Sequence, residues 1–427
     1  MGNLERKHGF FRYERETMDR EKRKVELSRK FLETFQNAFR RSKAYKEIYD
    51  SYGINPGDIK GLDDLERLPV IRMDDLLERQ KKEPPFGGFE TIDRDGIGRI
   101  YINQGLIYQP GEWEYQDMSW AEALCGVGFK PGDRILNTFN YHMWPIGFML
   151  DESVRMISAT VVPTGSGNTL MQVKIMQALK VNGYMGTASF LMTLAQRAEG
   201  MGLDLKKDLS LERALVSAEM LPESLRERIE SRWGIKVRQI YGTVFLGCIG
   251  YECQYVTALH IPDNILVEVV DPVSGKQVGQ GASGEIVATS FNSAYPMIRM
   301  ATGDLSLTAQ EECPCGRTGP MLKKIMGRID QAAKVKGTFI HPWQADEVIS
   351  RYPQVFKYQV VITREDHKDV MTFLVELKEE ALRPEILQGR IERDIKDILA
   401  MKGTVKIVPR GTIQDLHKKI EDRRSWE

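Results

Sequence analysis

Gln239-Ile240-Tyr241-Gly242 is a short apolar run stopped by a glycine, the form of a strand entering an active-site loop. Arg299-Met300-Ala301-Thr302-Gly303-Asp304 is its counterpart, a buried strand that could deliver one carboxylate to a ligand. Between them lie Cys253 and His260, and just beyond comes Cys313-Pro314-Cys315-Gly316. Three thiols and one imidazole in two close pairs suit a closed tetrahedral Zn²⁺ site. The alternative is coincidence, but a Cys-x-Cys-Gly knuckle with a second ligand pair about fifty residues upstream is uncommon in a cysteine-poor chain. A site with no open position is structural, and here it would pin the loops on the substrate side together. Cys125 and Cys248 are left over, each read as a buried small hydrophobe.

The surrounding motifs carry a resemblance. Tyr241-Gly242, the spaced Cys253 and His260, Leu266-Val267-Glu268-Val269-Val270-Asp271-Pro272, Gly284-Glu285-Ile286-Val287, Thr302-Gly303-Asp304-Leu305 and Cys313-Pro314-Cys315-Gly316-Arg317-Thr318 resemble, in matching order, the phenylacetate–CoA ligase family of adenylate-forming (AMP-binding) enzymes. The resemblance implies an α/β fold. A large N-terminal domain with mixed and parallel sheets and helices would span residues 1–326, with a helical cap over 1–90, and a small mobile C-terminal α+β domain would span 327–427.

Composition sets wide bounds. A chain of 427 residues, 42% of them hydrophobic, can bury a large core in two or three domains. Its 60 basic and 60 acidic side chains balance, so bulk charge offers no argument for nucleic acid or an acidic membrane surface. Few cysteines and a charged amino terminus argue for a reducing compartment, and no apolar run approaches the ~18 residues of a membrane span. The expectation is a soluble cytoplasmic protein with neither nucleic-acid nor membrane partners.

Along the chain, Met18 to Tyr52 repeats Leu27, Phe31, Leu32, Phe35 and Phe39 at helical spacing, predicting an amphipathic helix in a cap without catalytic content. A second helical segment is expected after Leu62 and a third after the Leu68–Ile71 run. From Trp120 to Tyr241 strands alternate with helices, predicting parallel sheet. Asn140-Tyr141-His142-Met143-Trp144-Pro145 follows one of these strands. It either walls an acyl or aryl pocket, as the resemblance implies, with Tyr141, His142, Trp144 and Phe245 as lining, or packs as an ordinary corner.

Two motifs depart from the family. The strand Arg99 to Ile102 feeds Asn103-Gln104-Gly105-Leu106-Ile107-Tyr108-Gln109-Pro110 where the family has Ser-Ser-Gly-Thr-Thr-Gly-Lys-Pro-Thr around the ATP phosphates. Gly105 and Pro110 match, while the hydroxyls, the second glycine and the lysine are replaced. Such a loop needs close backbone approach, hydroxyl donors and a cation. After Tyr241-Gly242 the family places a Mg²⁺-holding glutamate, and this chain has Phe245, which cannot ligate a hard cation.

Other elements match. The resemblance implies adenine contacts at Ser217-Ala218-Glu219 and Tyr241-Gly242, ribose binding by Asp304, phosphate or ribose contact by Arg328, a thioester-side loop carrying Lys336, and a catalytic lysine at Lys419, with Lys418 adjacent. Asp304 could equally be a turn aspartate, and a lysine in a charged tail is commonly just solvated. The resemblance therefore implies an AMP-forming ligase joining an aromatic or apolar carboxylic acid to CoA or another thiol, using ATP and Mg²⁺, with a structural Zn²⁺ and a homodimeric habit. The altered phosphate loop supports an alternative: a descendant that binds a small aromatic acid, acyl thioester or nucleotide without adenylating it.

Overall fold

The computed structural model describes residues 9–103, 106–114, 117–329, 333–335, 338–340, 342–365, 368–379, 384–399, 401–414 and 418–423. The chain divides into two compact units: Met1–Thr302 with Leu307–Lys324, and Gly303–Ser306 with Ile325–Glu427.

The first unit opens with α1 (Tyr13–Glu16), α2 (Arg20–Arg41) and α3 (Lys43–Ser51). The helix expected over Met18 to Tyr52 is thus two, because Ser42 leaves the helical conformation, accepts a hydrogen bond from Tyr45 N and donates its hydroxyl to Gly88 O at 2.7 Å. The segment after Leu62 forms only a 3₁₀ stretch, Leu62–Arg67, whereas α4 (Met73–Lys82) follows the apolar run as expected. Phe31, Phe35, Tyr45 and Tyr49 are buried as one aromatic stack.

An antiparallel hairpin of β1 (Ile97–Asn103) and β2 (Ile107–Glu112) precedes the main sheet. The sheet's parallel part contains β3 (Arg134–Asn137), β4 (Thr160–Pro163), β5 (Gly183–Gly186), β6 (Arg213–Val216) and β7 (Lys236–Thr243). Antiparallel β8 (Gly247–Glu252) and β9 (Leu259–His260) extend it. α5 (Ser119–Val127) leads into β3, and the crossovers run through α6 (Pro145–Met156), α7 (Thr169–Ala178), α8 (Ala188–Gly200) and α9 (Glu223–Trp233). Strand alternation feeds two cores. Leu136, Tyr184, Ala214, Val216 and Val237 pack with α7, α8 and α9, while Ile135, Met185, Leu215 and Ile240 pack with α5 and α6. Because β3 lies between β4 and β5, the winding direction reverses there, and ligands of such sheets collect beyond the carboxyl ends of strands at that point.

A second sheet is built from β10 (Ile265–Val270), β11 (Gly284–Ser290) and β12 (Met300–Ser306). Met321–Leu322 (β13) returns to pair with β9. Arg299, 1% exposed and at φ 52°, locks this region. Its guanidinium donates to both Glu268 carboxylate oxygens at 2.9 and 3.0 Å, to Leu68 O from the cap, and to Gly275 O at 2.6 Å.

In the second unit, Gly327–Arg328 (β14) pairs with the end of β12. β15 (Ala333–Val335) and β16 (Thr338–Ile340) form a hairpin, followed by α10 (Pro342–Ser350), β17 (Val355–Glu365), β18 (Lys368–Leu377), α11 (Pro384–Leu399), β19 (Thr404–Ile407) and β20 (Ile420–Asp422). The last four strands form one sheet in the order β19-β18-β17-β20. No helix among the described residues is long and apolar enough to cross a membrane.

Two stability outcomes follow from buried charge. Arg299→Met leaves the Glu268 carboxyl without its partner in the core, and costs about 3–5 kcal/mol in chemical denaturation, part of which Glu268→Gln on the same chain restores. Glu122 is fully buried; it accepts from Tyr251 Oη at 3.0 Å and Asp263 N at 3.1 Å, and desolvation, with Glu16 and Asp263 nearby, pushes its pKa from 4.5 up to about 8. A raised carboxyl pKa contributes stability that is complete below the unfolded value of 4.5 and is lost as pH rises through about 8. The unfolding midpoint therefore falls between pH 5 and about pH 9, and Glu122→Gln, though less stable overall for want of one acceptor, shows a flatter profile.

Candidate functional site

The carboxyl ends of β3, β6 and β7 present the stretches singled out in the sequence. Beyond β3, Asn137 donates to Tyr141 Oη at 2.8 Å and to Gly147 O at 3.0 Å, and Tyr141 in turn donates to Asp151 at 3.0 Å. Burial and the Asp151 charge raise the Tyr141 phenol, which stays a neutral donor. His142 and Trp144 are exposed, the latter at 40%, and Met143 between them is left-handed at φ 64°. Beyond β6, Ser217 donates to Ile240 O at 3.0 Å, Ala218 is left-handed at φ 67°, and Glu219 accepts from Ser189 N and Oγ at the first turn of α8. Beyond Tyr241, Gly242 admits no side chain: a Cβ there would lie 2.5 Å from Gly247 O and 2.7 Å from the Trp120 ring.

Gln109 and Phe245, which stand where a phosphate-binding lysine and a metal-binding glutamate were sought, line one cavity. Both are buried, at 5% exposure. Gln109 Oε1 accepts from the buried Asn103 amide at 3.5 Å across the hairpin, and neither replacement offers a cation. Gly105 lies outside the described residues. The other charged groups lining this cavity are Arg99 and the carboxyls of Glu112, Glu114, Asp117 and Glu152. Burial raises the Asp117 carboxyl above its usual range. Tyr141, His142 and Trp144 are not among the residues lining it. Glu252, the nearest carboxylate in sequence, is also unavailable to a metal here: it holds Arg226 at 2.6 and 2.8 Å and accepts from Gln239 N.

In the second unit, Asp304 faces Arg328 across the β12–β14 pair, with 3.8 Å between Oδ1 and Nη1. Gly303 precedes it at φ 74°, and a Cβ there would lie 2.8 Å from the Arg328 guanidinium. Lys419, just before β20, reaches Asp346 of α10. Lys336 lies outside the described residues.

Cys253, His260, Cys313 and Cys315 come together on the first unit, their ligand atoms all within 4.8 Å of one another. Cys253 Sγ is 3.5 Å from Cys313 Sγ, and Cys315 Sγ is 3.4 Å from His260 Nε2. Tetrahedral bonds of about 2.3 Å to sulfur and about 2.0 Å to nitrogen separate S···S by about 3.8 Å and S···N by about 3.5 Å, so the donor set needs little movement to close on an ion. With protons alone, Cys253 and Cys315 divide the charge: their hydrogen bond raises Cys253 and lowers Cys315, which His260 also favours as thiolate. His260 Nδ1 is buried without a hydrogen-bond partner among the described residues. Arg317, two residues on, pairs with Glu16 at 2.8 Å and sits 4.3 Å over the Phe10 ring, tying the knuckle to the N-terminal helices.

The phenylacetate-coenzyme A ligase of Thermus thermophilus is 30% identical to this chain over 428 aligned positions, covering 93% of this chain and 95% of the relative. The chain belongs to the phenylacetate–CoA ligase family. Phenylacetate-coenzyme A ligases of Aromatoleum evansii and Escherichia coli are 27% and 26% identical, covering 92% and 89% of this chain. Residues 337–424 match the family described as AMP-binding enzyme C-terminal domain. A crystal structure of 2-hydroxyisobutyryl-CoA ligase in an open conformation, in complex with 2-HIB-AMP and CoA, superposes with a TM-score of 0.85 over 99% of this chain and 96% of its own, at 24% identity. The adenylate-forming fold is thereby shown.

Within the phenylacetate–CoA ligase family, this member brings Gln109 and Phe245 to one cavity, while Asp304 and Lys419 belong to the second unit. Sequence reasoning missed Arg226 and Asp346, because ion pairs spanning 26 and 73 residues leave no periodic trace.

Proposed function

We propose that the protein is an AMP-forming carboxylic acid–CoA ligase that takes an aromatic or medium-sized apolar acid. Likeness to the phenylacetate-coenzyme A ligases along the whole length of both chains carries this reading. The acid carboxylate attacks the α-phosphorus of ATP, the acyl-adenylate forms and pyrophosphate leaves; the CoA thiolate then attacks the acyl carbon and AMP leaves, the thiol proton passing to solvent. Lys419 would balance charge on the reacting carboxylate and phosphate, Asp304 would accept from the ribose hydroxyls, and Arg328 would contact phosphate or ribose. Ser217, Ala218, Glu219, Tyr241 and Gly242 would border adenine, Phe245 the acid in the cavity it lines, and Lys336 would serve the thiol step.

The cavity shared by Gln109 and Phe245 favours a second reading, in which acid, acyl thioester or nucleotide binds without adenylation. Four carboxyl groups (Glu112, Glu114, Asp117, Glu152) face one guanidinium (Arg99) there, a poor environment for a polyanion. Mg²⁺ at Phe245 would have no oxygen ligand from that side chain.

We further propose that the Cys₃His cluster holds one structural Zn²⁺, because its sulfur and nitrogen spacings fit the ion, its carboxylate-free donor set excludes hard cations, and all four ligand positions are filled.

Acid-dependent pyrophosphate release across a panel of aromatic and aliphatic acids decides between the first two readings, with Lys419→Ala as the control. Release lost in the control supports the ligase. Equal background from both proteins, together with calorimetric binding of AMP or an aromatic acid, supports the second reading. Under either, Mg·ATP binds no more than about threefold tighter than AMP, since charge-assisted contacts to the outer phosphates are missing. Elemental analysis of protein purified without chelator finds one zinc per chain, and Cys313→Ser lowers both zinc content and the unfolding midpoint.

A further inference from the structure

Lys419 is held at both ends. Its backbone oxygen accepts from Val360 N at 2.8 Å, Lys418 O accepts from Gln359 Nε2 at 3.0 Å, and the following strand β20 runs parallel to β17 with Ile420 opposite Val360. Its ammonium donates to both oxygens of Asp346, at 2.7 and 2.8 Å. The carboxylate is itself anchored: Tyr358 Oη donates to Asp346 Oδ1 at 2.5 Å from β17, the strand that fixes the lysine backbone. Tyr358 is 8% exposed and stacks on Phe373, so the phenol is a rigid post, and burial together with the Asp346 charge keeps it protonated. Lys418, one residue earlier, is exposed.

An exposed lysine pays side-chain entropy whenever it is fixed, and a single flexible ion pair does little to offset this. A two-oxygen contact backed by a buried phenol is different. It sets the direction of the ammonium, in the way that a nucleophile or base in a catalytic site is oriented by a second group and that group by a third. An ammonium has three donors. Asp346 engages two; a shift to single-oxygen contact leaves two for a substrate carboxylate and phosphate, with the nitrogen still tethered.

We propose that Asp346, oriented by Tyr358, is a positioning residue that presents the Lys419 ammonium to the carboxylate being activated. This deepens the ligase reading and rests on it for the substrate. The hold on Lys419 rests on the structure alone.

The test uses the full-length protein and two readouts. In the first, trace labelling with acetic anhydride and peptide mass spectrometry compares Lys419 with the exposed Lys402 of the same unit. Asp346→Asn speeds Lys419 labelling about fivefold relative to Lys402, Asp346→Glu stays near the parent, and Tyr358→Phe falls between, as loss of a partly exposed pair predicts. In the second, acid-dependent pyrophosphate release falls at least about tenfold in kcat for Asp346→Asn, with KM for the acid within about twofold, and Asp346→Glu recovers most of it. Equal labelling of Lys419 in parent and Asp346→Asn overturns the hold, whatever the activity. Altered labelling with unchanged kcat overturns the positioning role. A parent that releases no pyrophosphate yet protects Lys419 sinks the ligase reading and the substrate role while the hold stands. A folded Tyr358→Phe protein carries the labelling comparison if Asp346→Asn does not fold.

Discussion

The buried Arg299–Glu268 pair is the constraint on which the geometry of the first unit turns. Its guanidinium joins three separate segments: Glu268 of β10, the Leu68 carbonyl of the cap and the Gly275 carbonyl of the adjoining turn. A charge so deep is tolerable only because its donors find good acceptors, and the left-handed backbone at φ 52° is the strain accepted to aim it. The next residue begins β12, which is bracketed on the cap side by pairing between Ile71 and Met300. Asp304 lies four residues further along that strand.

The Cys/His cluster draws on a different set of segments. Cys253 follows β8, His260 lies in β9, and the Cys313–Cys315 knuckle precedes β13, which itself pairs with β9. Strand pairing therefore closes the antiparallel edge of the main sheet, and an ion held by the proposed Zn²⁺ site would close it a second time. Arg317 extends the same knuckle to Glu16, and Arg15 and Arg23 reach Asp263 at 2.6 Å each, so the N-terminal helices are fastened to that edge by charge. Glu122 lies buried nearby with two hydrogen bonds to its oxygens, and desolvation first, then the Glu16 and Asp263 charges, explain why it resists ionisation.

Much of this was legible in the sequence. Alternation of strands and helices from Trp120 onward predicted the parallel sheet, because a strand buried on both faces and an amphipathic helix carry different periods. The cysteine and histidine spacing picked out the cluster whose atoms converge in space. The break at Ser42 was missed because the apolar repeat continues through it, while a serine hydroxyl competing for backbone donors leaves the repeat unchanged. Likewise, the replaced phosphate loop could be recognised by its lost hydroxyls and lysine. That Gln109 folds inward against Asn103 depends on hairpin register, which a single chain does not spell out.

The substitutions divide along the nucleotide. At the positions proposed to touch AMP and the acid, Asp304, Tyr241-Gly242 and Lys419 carry the residue types that the resemblance implies. Those that would hold the outer phosphates and their cation are now Gln109 and Phe245, in a cavity rich in carboxyls. In an adenylate-forming cycle the outer phosphates depart as pyrophosphate after the first step, whereas AMP stays until the thiol attacks. Losing two charge-assisted contacts at about 1.5–3 kcal/mol each therefore slows adenylate formation by about 10²–10⁴-fold. The attack of a thiol on an adenylate already in place does not use those contacts. On the proposed roles, losses confined to the outer phosphates would weigh on the first half-reaction and leave the second untouched.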